Sequence, residues 1–434
     1  KKKKSYNMKL WQKGKTAHKK VDQFTVGKDR EYDLVLAQYD CQASIAHAKM
    51  LAKIGVINSQ EGEKLTKALK KIQKQASDDK FTIEDRFEDI HSKIEDLLIE
   101  DLGDLGKKIH TARSRNDQVL VAMHLYLKHE LTEIKKLVRK LFELLLSLAK
   151  EHQNNLMPGY THMQVAMPSS FGLWFSAYAE SLIDDLYFWQ SAYKIADQNP
   201  LGSAAGFGSA FPIDRKFTTE SLGFTELKVN SVAAQMARGK LEKSTATALS
   251  AIGSTLAKLC MDICLYMGQD FNFLSFPDEL TTGSSIMPHK KNPDLFELVR
   301  GKCNMIVALP NQIALLTANL PSGYHREFQL VKGPIIDAVN EIKSCLEILI
   351  FSLPKIKVKK NITDHEKYDY IFSVDTLNQE VLAGKPFRDA YRELGHAIEK
   401  NDFNPNRNLK HTHIGSIGNL GLESIRKKMN TLFS

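Results

Sequence analysis

Asp117–His152 reads DQVLVAMHLYLKHELTEIKKLVRKLFELLLSLAKEH. It holds neither glycine nor proline, and Leu131, Leu137, Leu141, Leu144, Leu145 and Leu148 recur at helical spacing. Helical throughout, this stretch extends about 54 Å at ~1.5 Å per residue. Four further apolar-striped segments follow it: Ser169–Ala196, Ser231–Phe271, Asp294–Asn319 and Pro334–Leu353. Pro310 is expected to kink the fourth, because a proline inside a helix removes a hydrogen bond and clashes with the preceding turn. No alternating run is long enough to argue for a sheet, so the expected class is all-α, built on a central bundle of five long helices. Helices this long and apolar cannot bury every face within one five-helix bundle. Association with copies of the same chain into a multi-helix tetramer core is therefore expected.

Outward from the bundle, the chain divides at composition changes. Residues 1–116 read as an N-terminal α domain, 117–363 as the bundle and 364–434 as a small C-terminal α domain. In the first, the pattern from Asp33 suits helices ending near Gly55, Ser59 opens another that runs through Ile72, and Glu84–His91 begins a third. In the last, helical periodicity returns over His365–Lys400, broken by a turn at Gly384-Lys385-Pro386.

The chain of 434 residues is 43% hydrophobic and 26% charged, which is globular composition rather than disorder. The formal charge of +9 includes the four leading lysines. The remaining lysines are interleaved with acids on helix faces, and no aromatic or groove-reading motif accompanies them, which argues against a nucleic-acid partner. Met8-Lys9-Leu10-Trp11 resembles a natural start. The longest uninterrupted apolar runs are short for a bilayer, no signal peptide opens the chain, and the five scattered cysteines complete no zinc pattern. A cytoplasmic protein with reduced, mostly buried thiols and no membrane partner is expected.

Three polar islands fall at helix ends. Thr111–Gln118 contains Arg113, Ser114, Arg115, Asn116 and Asp117. Guanidinium groups grip carboxylates bidentately and Asn116 can bond an amide or carboxylate, although the same residues serve equally as a helix cap. Pro158–Gln164 places His162 in a turn between two long helices. Thr281–Asp294 contains Gly283, Ser284, Ser285, Lys290 and Lys291, then Asn292-Pro293-Asp294, a helix start in which Asn caps. A donor-rich loop entering a helix N-terminus suits an anion. Together a histidine, arginines and such a loop make a general acid–base site for a carboxylate substrate. Glu297, in the first turns after Pro293, stands where it could orient a histidine; as an exposed acid favoured by the helix dipole it would need no such role.

The strings Gly283-Ser284-Ser285-Ile286-Met287-Pro288-His289-Lys290-Lys291-Asn292-Pro293, Thr161-His162 and Arg113-Ser114-Arg115-Asn116-Asp117-Gln118 resemble, in order and spacing, the fumarase/aspartase superfamily. The last string is similar to that of the argininosuccinate lyase family within it. Glu88-Asp89-Ile90-His91, Pro200-Leu201-Gly202-Ser203, Leu320-Pro321-Ser322 with Tyr324, and Gly384-Lys385-Pro386-Phe387-Arg388 extend the resemblance over nearly the whole chain. It implies a reversible anti β-elimination of argininosuccinate to arginine and fumarate, the last step of arginine biosynthesis, with no cofactor and no metal. By the same resemblance Ser284 and His162 are the catalytic groups, with Lys290 supporting Ser284 and Glu297 partnering His162. Asn116, Thr161, Asn292, Tyr324, Gln329 and Lys332 are substrate contacts, joined by Ser114 and Arg115. The resemblance also implies a homotetramer whose three islands meet from three different chains.

The chain departs from the pattern at Trp11-Gln12-Lys13-Gly14 and at Thr25–Arg30, where the family's early substrate-binding serine has no equivalent. His289 stands where these lyases often carry glutamine; a Pro-His-Lys string is common in adenylosuccinate lyase, which ranks second because the rest of the first island does not fit it. A catalytically silent structural protein on the same fold is the other alternative; both His162 and Ser284 are retained.

Overall fold

A computed structural model of the chain describes residues 18–78 and 81–433. The lysine leader, Met8 and Trp11–Gly14 lie outside the described residues. The helices are α1 (Lys19–Val26), α2 (Asp29–Lys53), α3 (Ser59–Gln75), α4 (Ile90–Leu102), α5 (Asp104–Lys107), α6 (Arg115–Glu151), α7 (Phe171–Ala196) and α8 (Arg215–Ser221). They continue with α9 (Ser231–Gln235), α10 (Lys240–Met267), α11 (Asp294–Leu316), α12 (Lys332–Ser352), α13 (Ser373–Leu382), α14 (Phe387–Glu399) and α15 (Leu422–Thr431). The class is all-α, as the periodicity demands.

Local chemistry sets the boundaries, often within a residue or two of the sequence signals. The α3 cap is Asn58 rather than Ser59. Its side chain accepts from Glu61 N at 2.9 Å while its own N–H donates to the Glu61 carboxylate at 2.9 Å, a reciprocal capping box. The acid-rich stretch from Glu84 does not itself start a helix. Asp89 caps α4 by accepting from Ser92 N at 2.8 Å, leaving residues 84–88 as a turn. The expected segment Ser231–Phe271 is broken at Gly239, which sits at φ +80° and separates α9 from α10. Helix α11 runs unbroken through Pro310.

One expectation fails outright. Leu156–Thr161 (β1) and Gln164–Ser170 (β2) pair as an antiparallel hairpin between α6 and α7, where no sheet was expected. Pro158, Gly159 and Pro168 read as strand breakers, yet the ladder absorbs them through an irregularity between Pro158 and Tyr160.

The chain divides into two compact units. Among the described residues, one comprises 18–78, 81–134, 188–250 and 306–341; the other comprises 135–187, 251–305 and 342–433. Each of the five long helices contributes a stretch to both. In the first unit Ala37, Cys41, Ala48 and Leu51 of α2 pack with Leu65, Leu69 and Ile72 of α3 and with Ile90, Ile94 and Leu98 of α4. Trp189 Nε1 donates to the Leu131 carbonyl at 2.6 Å, satisfying a buried indole against α6. In the second unit Asp262 accepts from Trp174 Nε1 at 2.9 Å and from the Tyr178 hydroxyl at 2.6 Å.

The five cysteines are thiols outside any disulfide, Cys264 half-buried and the others buried. Helix α10 is, by length and composition, apolar enough to cross a membrane, an assessment that uninterrupted apolar runs miss because Ser and Thr punctuate it. Its most apolar window is 56% buried inside the protein, as a core helix requires.

Close approach makes one glycine indispensable. A Cβ on Gly172 would stand 2.5 Å from Gln153 Cα, 2.7 Å from the Ala149 oxygen and 2.9 Å from Leu420 Cδ1. Gly172→Ala is therefore expected to destabilise the protein by about 1–3 kcal/mol, read as a lower urea midpoint with an unchanged slope.

Candidate functional site

The first unit gathers one set of polar residues from four stretches of chain. The start of α6 supplies Arg115 and Asn116, the loop before α12 supplies Tyr324, Arg326 and Gln329, α12 opens with Lys332, and α2 supplies Asp29 and Asp33. With Glu88, Asp89, His91 and Arg238 they line a cavity of about 140 Å³. Five of the eight expected substrate contacts meet here. Ser114 lies beside them, its Oγ accepting from Asn116 N at 3.2 Å.

The cavity is lined by charges of both signs, each held by a partner. Lys332, only 4% exposed, pairs with Asp29 at 2.8 Å and with Asp33. Burial alone would lower its pKa, but Asp33 and Asp29 hold the ammonium above the ordinary lysine value. Burial, opposed by Lys332, raises the Asp29 carboxyl. Asp33 also accepts from Ile90 N at 3.1 Å and so ties α4 to the same cation. Arg115 pairs with Glu88 at 2.8 Å and Asp89 at 3.4 Å, and donates to Ser92 Oγ at 2.8 Å. Gln329 donates from Nε2 to the Thr25 carbonyl at 2.9 Å. Among the described residues, the Asn116 side-chain amide and the Tyr324 hydroxyl make no hydrogen bond within the protein. A cavity of this kind suits a ligand that itself carries carboxylates and cationic groups.

Arg113, the other arginine of the first island, does not face the cavity. It is buried, donating to Ser44 Oγ at 2.9 Å and lying 3.8 Å from Asp40, which also meets His91 at 3.0 Å. Sequence reasoning assigned no role to Asp29, Asp33, Arg238 or Arg326. The pairing of Asp33 with Lys332 spans 299 residues, and no local spacing signals it. The one available signal was the i,i+4 placement of Asp29 and Asp33 on a single face of α2.

The second unit carries the remaining candidates. Thr161 and His162 are exposed at the hairpin tip, where Thr161 pairs with Gln164 across a two-residue turn. His162 at φ 53° and Met163 at φ 60° occupy both left-handed positions of that turn. Further along the chain, the loop after Thr282 is closed at its neck by a backbone bridge. Asn292 N donates to Thr282 O at 2.8 Å and Thr282 N to Asn292 O at 3.3 Å.

Inside that loop Ser284 Oγ accepts from Met287 N at 3.1 Å and from Ile286 N at 3.4 Å. Asn292 does not cap α11 as expected. Its amide turns back to Thr282 Oγ1 and the Gly283 carbonyl, each at 3.4 Å, while Thr282 Oγ1 donates to Asp294. Lys291 pairs with Asp278, whereas Lys290 is exposed and, among the described residues, makes no ion pair. Glu297 is exposed on the first turn of α11. Among the described residues of the single chain, no hydrogen bond or ion pair joins His162 to Ser284, Lys290 or Glu297.

The family described as "Lyase" matches residues 13–308. The argininosuccinate lyase of Parabacteroides distasonis is 51% identical over 424 residues, covering 98% of this chain and 95% of that one. The argininosuccinate lyase of Thermotoga neapolitana is 40% identical over 384 residues, covering 88% and 96%. Among solved structures, EDDS lyase in complex with formate aligns with a TM-score of 0.73 at 21% identity, covering 96% of this chain and 90% of that one. A fumarate lyase:delta crystallin from Brucella melitensis, bound to cobalt, aligns with a TM-score of 0.71 at 15% identity, covering 92% and 90%. At such identities the two structures establish the fold alone.

Asp89 links the α4 cap to the cavity and yields a pH-dependent expectation. Burial would raise its pKa, but His91, Arg115 and the Ser92 donors outweigh it and hold the carboxyl below its ordinary 3.8. A depressed folded pKa stabilises above the unfolded value and ceases to as pH falls through the folded one. Asp89→Ala should cost about 1 kcal/mol at neutral pH, and the difference from wild type should shrink below pH 3.8, as measured by urea unfolding across that range.

Proposed function

The chain belongs to the argininosuccinate lyase family and is a carbon–nitrogen lyase that splits argininosuccinate into arginine and fumarate; from that premise we propose which residues do so. The reaction removes a weakly acidic proton from the carbon next to a carboxylate. Electrons move through an aci-carboxylate into a new carbon–carbon double bond, the carbon–nitrogen bond breaks, and the departing guanidino nitrogen takes up a proton. The dianionic intermediate needs oriented N–H donors and a cation.

Ser284 is the base. A serine hydroxyl is a poor base at neutral pH unless its alkoxide is stabilised, and two observations favour that here. The Met287 and Ile286 N–H groups donate to Ser284 Oγ, and the loop leads directly into the N-terminus of α11. Lys290, with no competing ion pair, supplies the cation. His162, oriented by Glu297, protonates the leaving nitrogen. Asn116, Tyr324, Gln329, Lys332, Arg115 and Ser114 hold the substrate in the first unit, and Thr161 and Asn292 bind from their two turns. The observation that carries this reading is the cavity itself, in which five of those contacts converge from separate stretches of chain around charges of both signs.

The working form is a homotetramer with shared sites. Leu298, Gly301, Met305 and Ala308 of α11 are exposed at spacings of three and four, with Leu315 seven residues on, an apolar stripe that a second helix would cover. The three islands then meet from three chains around the central 117–363 helices, with no metal or cofactor and in the cytoplasm.

Absorbance of fumarate formed from argininosuccinate, with adenylosuccinate run beside it, tests the reaction. Ser284→Ala and His162→Gln are each expected to lower kcat by about 10²–10⁴-fold. Mixed after verified subunit exchange, the two inactive variants should regain partial activity. Recovery of none would mean that each site is built within one chain.

A further inference from the structure

We propose that Arg238 is a positioning residue for substrate binding, holding the Tyr324 ring at the cavity through the Phe328 carbonyl. The inference deepens the reading of Tyr324 as a substrate contact given above and rests on it.

Stability alone does not explain Arg238. Its side chain is 3% exposed, and the carboxylate it faces, Glu242, is fully buried. The two come no closer than 3.8 Å, beyond hydrogen-bond reach. Glu242 gives its other oxygen to Gly239 N at 2.7 Å, at the left-handed break between α9 and α10. Arg238 Nε and Nη1 are buried and, among the described residues, make no hydrogen bond. An apolar side chain of similar length is often the more stable occupant of such a place. What the guanidinium does make is one charge-assisted bond of 2.9 Å, from Nη2 to the carbonyl of Phe328, ninety residues downstream.

Phe328 is where the loop before α12 needs an anchor. It lies in the 3₁₀ stretch Arg326–Val331, whose bond from Phe328 N to His325 O at 3.2 Å closes the turn without tying it to a neighbouring helix. Of the proposed substrate contacts on this part of the chain, Gln329 is held by the Thr25 carbonyl and Lys332 by Asp29 and Asp33. Tyr324 has no such tie. Among the described residues its hydroxyl makes no hydrogen bond, and it follows Gly323, whose φ of +108° leaves the backbone unusually free. A cavity of about 380 Å³ lined by Thr317, Ser322, Gly323 and Phe328 opens beside that stretch. The Tyr324 ring rests instead on Phe328, their centroids 6.4 Å apart. Phe328 is buried, and the Arg238 guanidinium stands 5.9 Å from its ring while lining the substrate cavity with Tyr324. Holding the Phe328 carbonyl to the α9–α10 junction therefore fixes the ring on which Tyr324 leans, and with it the direction of the phenol.

Arg238→Met and Tyr324→Phe, singly and together in the full-length enzyme, test the proposal by steady-state kinetics on argininosuccinate. Tyr324→Phe should raise KM by about tenfold, as loss of one hydrogen bond to a charged ligand does. Arg238→Met should raise KM by about fivefold and keep kcat within about threefold, since binding rather than chemistry is disturbed. The double variant should have the KM of Tyr324→Phe alone, because Arg238 acts through the phenol that this variant lacks. Unchanged KM in Arg238→Met beside a raised KM in Tyr324→Phe overturns the positioning role alone. So do increases that multiply in the double variant, or a fall in kcat without a rise in KM, the mark of a merely structural residue. Unchanged KM in Tyr324→Phe overturns the assignment of the tyrosine, and the positioning role with it. Thermal melting of each variant identifies misfolding. Should Arg238→Met fail to fold by stranding Glu242, Arg238→Met with Glu242→Gln removes both charges, keeps an acceptor for Gly239 N and is judged by the same outcomes.

Discussion

The cavity of the first unit depends on one buried carboxylate. Asp117 is fully buried at the start of α6. One oxygen accepts from Ser114 N at 3.0 Å, and the other from Gly202 N at 3.1 Å and Ala204 N at 3.0 Å. Burial pushes its pKa up, while Arg113 and these three donors pull it back. A carboxylate this deep persists as an anion only when donors surround it, and the donors here belong to the two loops it must join. The turn at Ser114 is thereby locked, α6 starts at Arg115, and Arg115 and Asn116 reach the cavity from a rigid helix end. Removing the carboxylate would free two loops at once.

That constraint explains what could be read from the sequence and what could not. The long helices were legible because each needs only its own periodicity. The absence of Gly and Pro over Asp117–His152 and the leucine spacing predict α6 to within two residues. Caps were legible unevenly: the α3 cap is Asn58, one residue before Ser59, but the α4 cap is Asp89, five residues past Glu84, because nearby polar residues compete and only packing selects between them. The hairpin was not legible. Two prolines and a glycine in thirteen residues argue against strands, and the ladder accommodates them through an irregularity between Pro158 and Tyr160 that no local pattern signals. The resemblance supplied the expected substrate contacts. It did not supply Asp29 and Asp33, whose function here is to keep Lys332 charged in a buried place. Long-range charge compensation leaves no local trace, so such partners become visible only once the chain is folded.

The two halves also differ in how they manage cost. In the cavity of the first unit each cation is paired, so a substrate carboxylate or ammonium enters a field already balanced and must compete for Arg115 or Lys332. The amide of Asn116 and the hydroxyl of Tyr324 are the groups a ligand reaches without breaking anything. In the second unit the groups proposed to be reactive sit on strained or open backbone instead. His162 and Met163 hold left-handed conformations, and Ser284 stands on a loop pinned only at its neck. Strain and openness of this sort persist where surrounding structure determines them, and they concentrate where a protein does chemistry.

On the reading proposed for this lyase, exposure of the reactive groups carries a further consequence. Neither the serine alkoxide nor the aci-carboxylate dianion that forms as it takes the proton can be stabilised in open water, where preorganised donors lose most of their advantage. Thr161, His162, Lys290 and Glu297 are all exposed in the single chain, so the walls that exclude water must come from elsewhere. Helix α11 joins the two requirements. Its first residue, Asp294, accepts from Thr282 and helps pin the neck of the Ser284 loop, and its exposed apolar stripe begins at Leu298, one turn on. The helix start that orients the base is therefore the start of the surface that a second chain would cover. Any displacement of that helix on association is transmitted to Ser284 within a single turn, so assembly and activation of the base need no separate device.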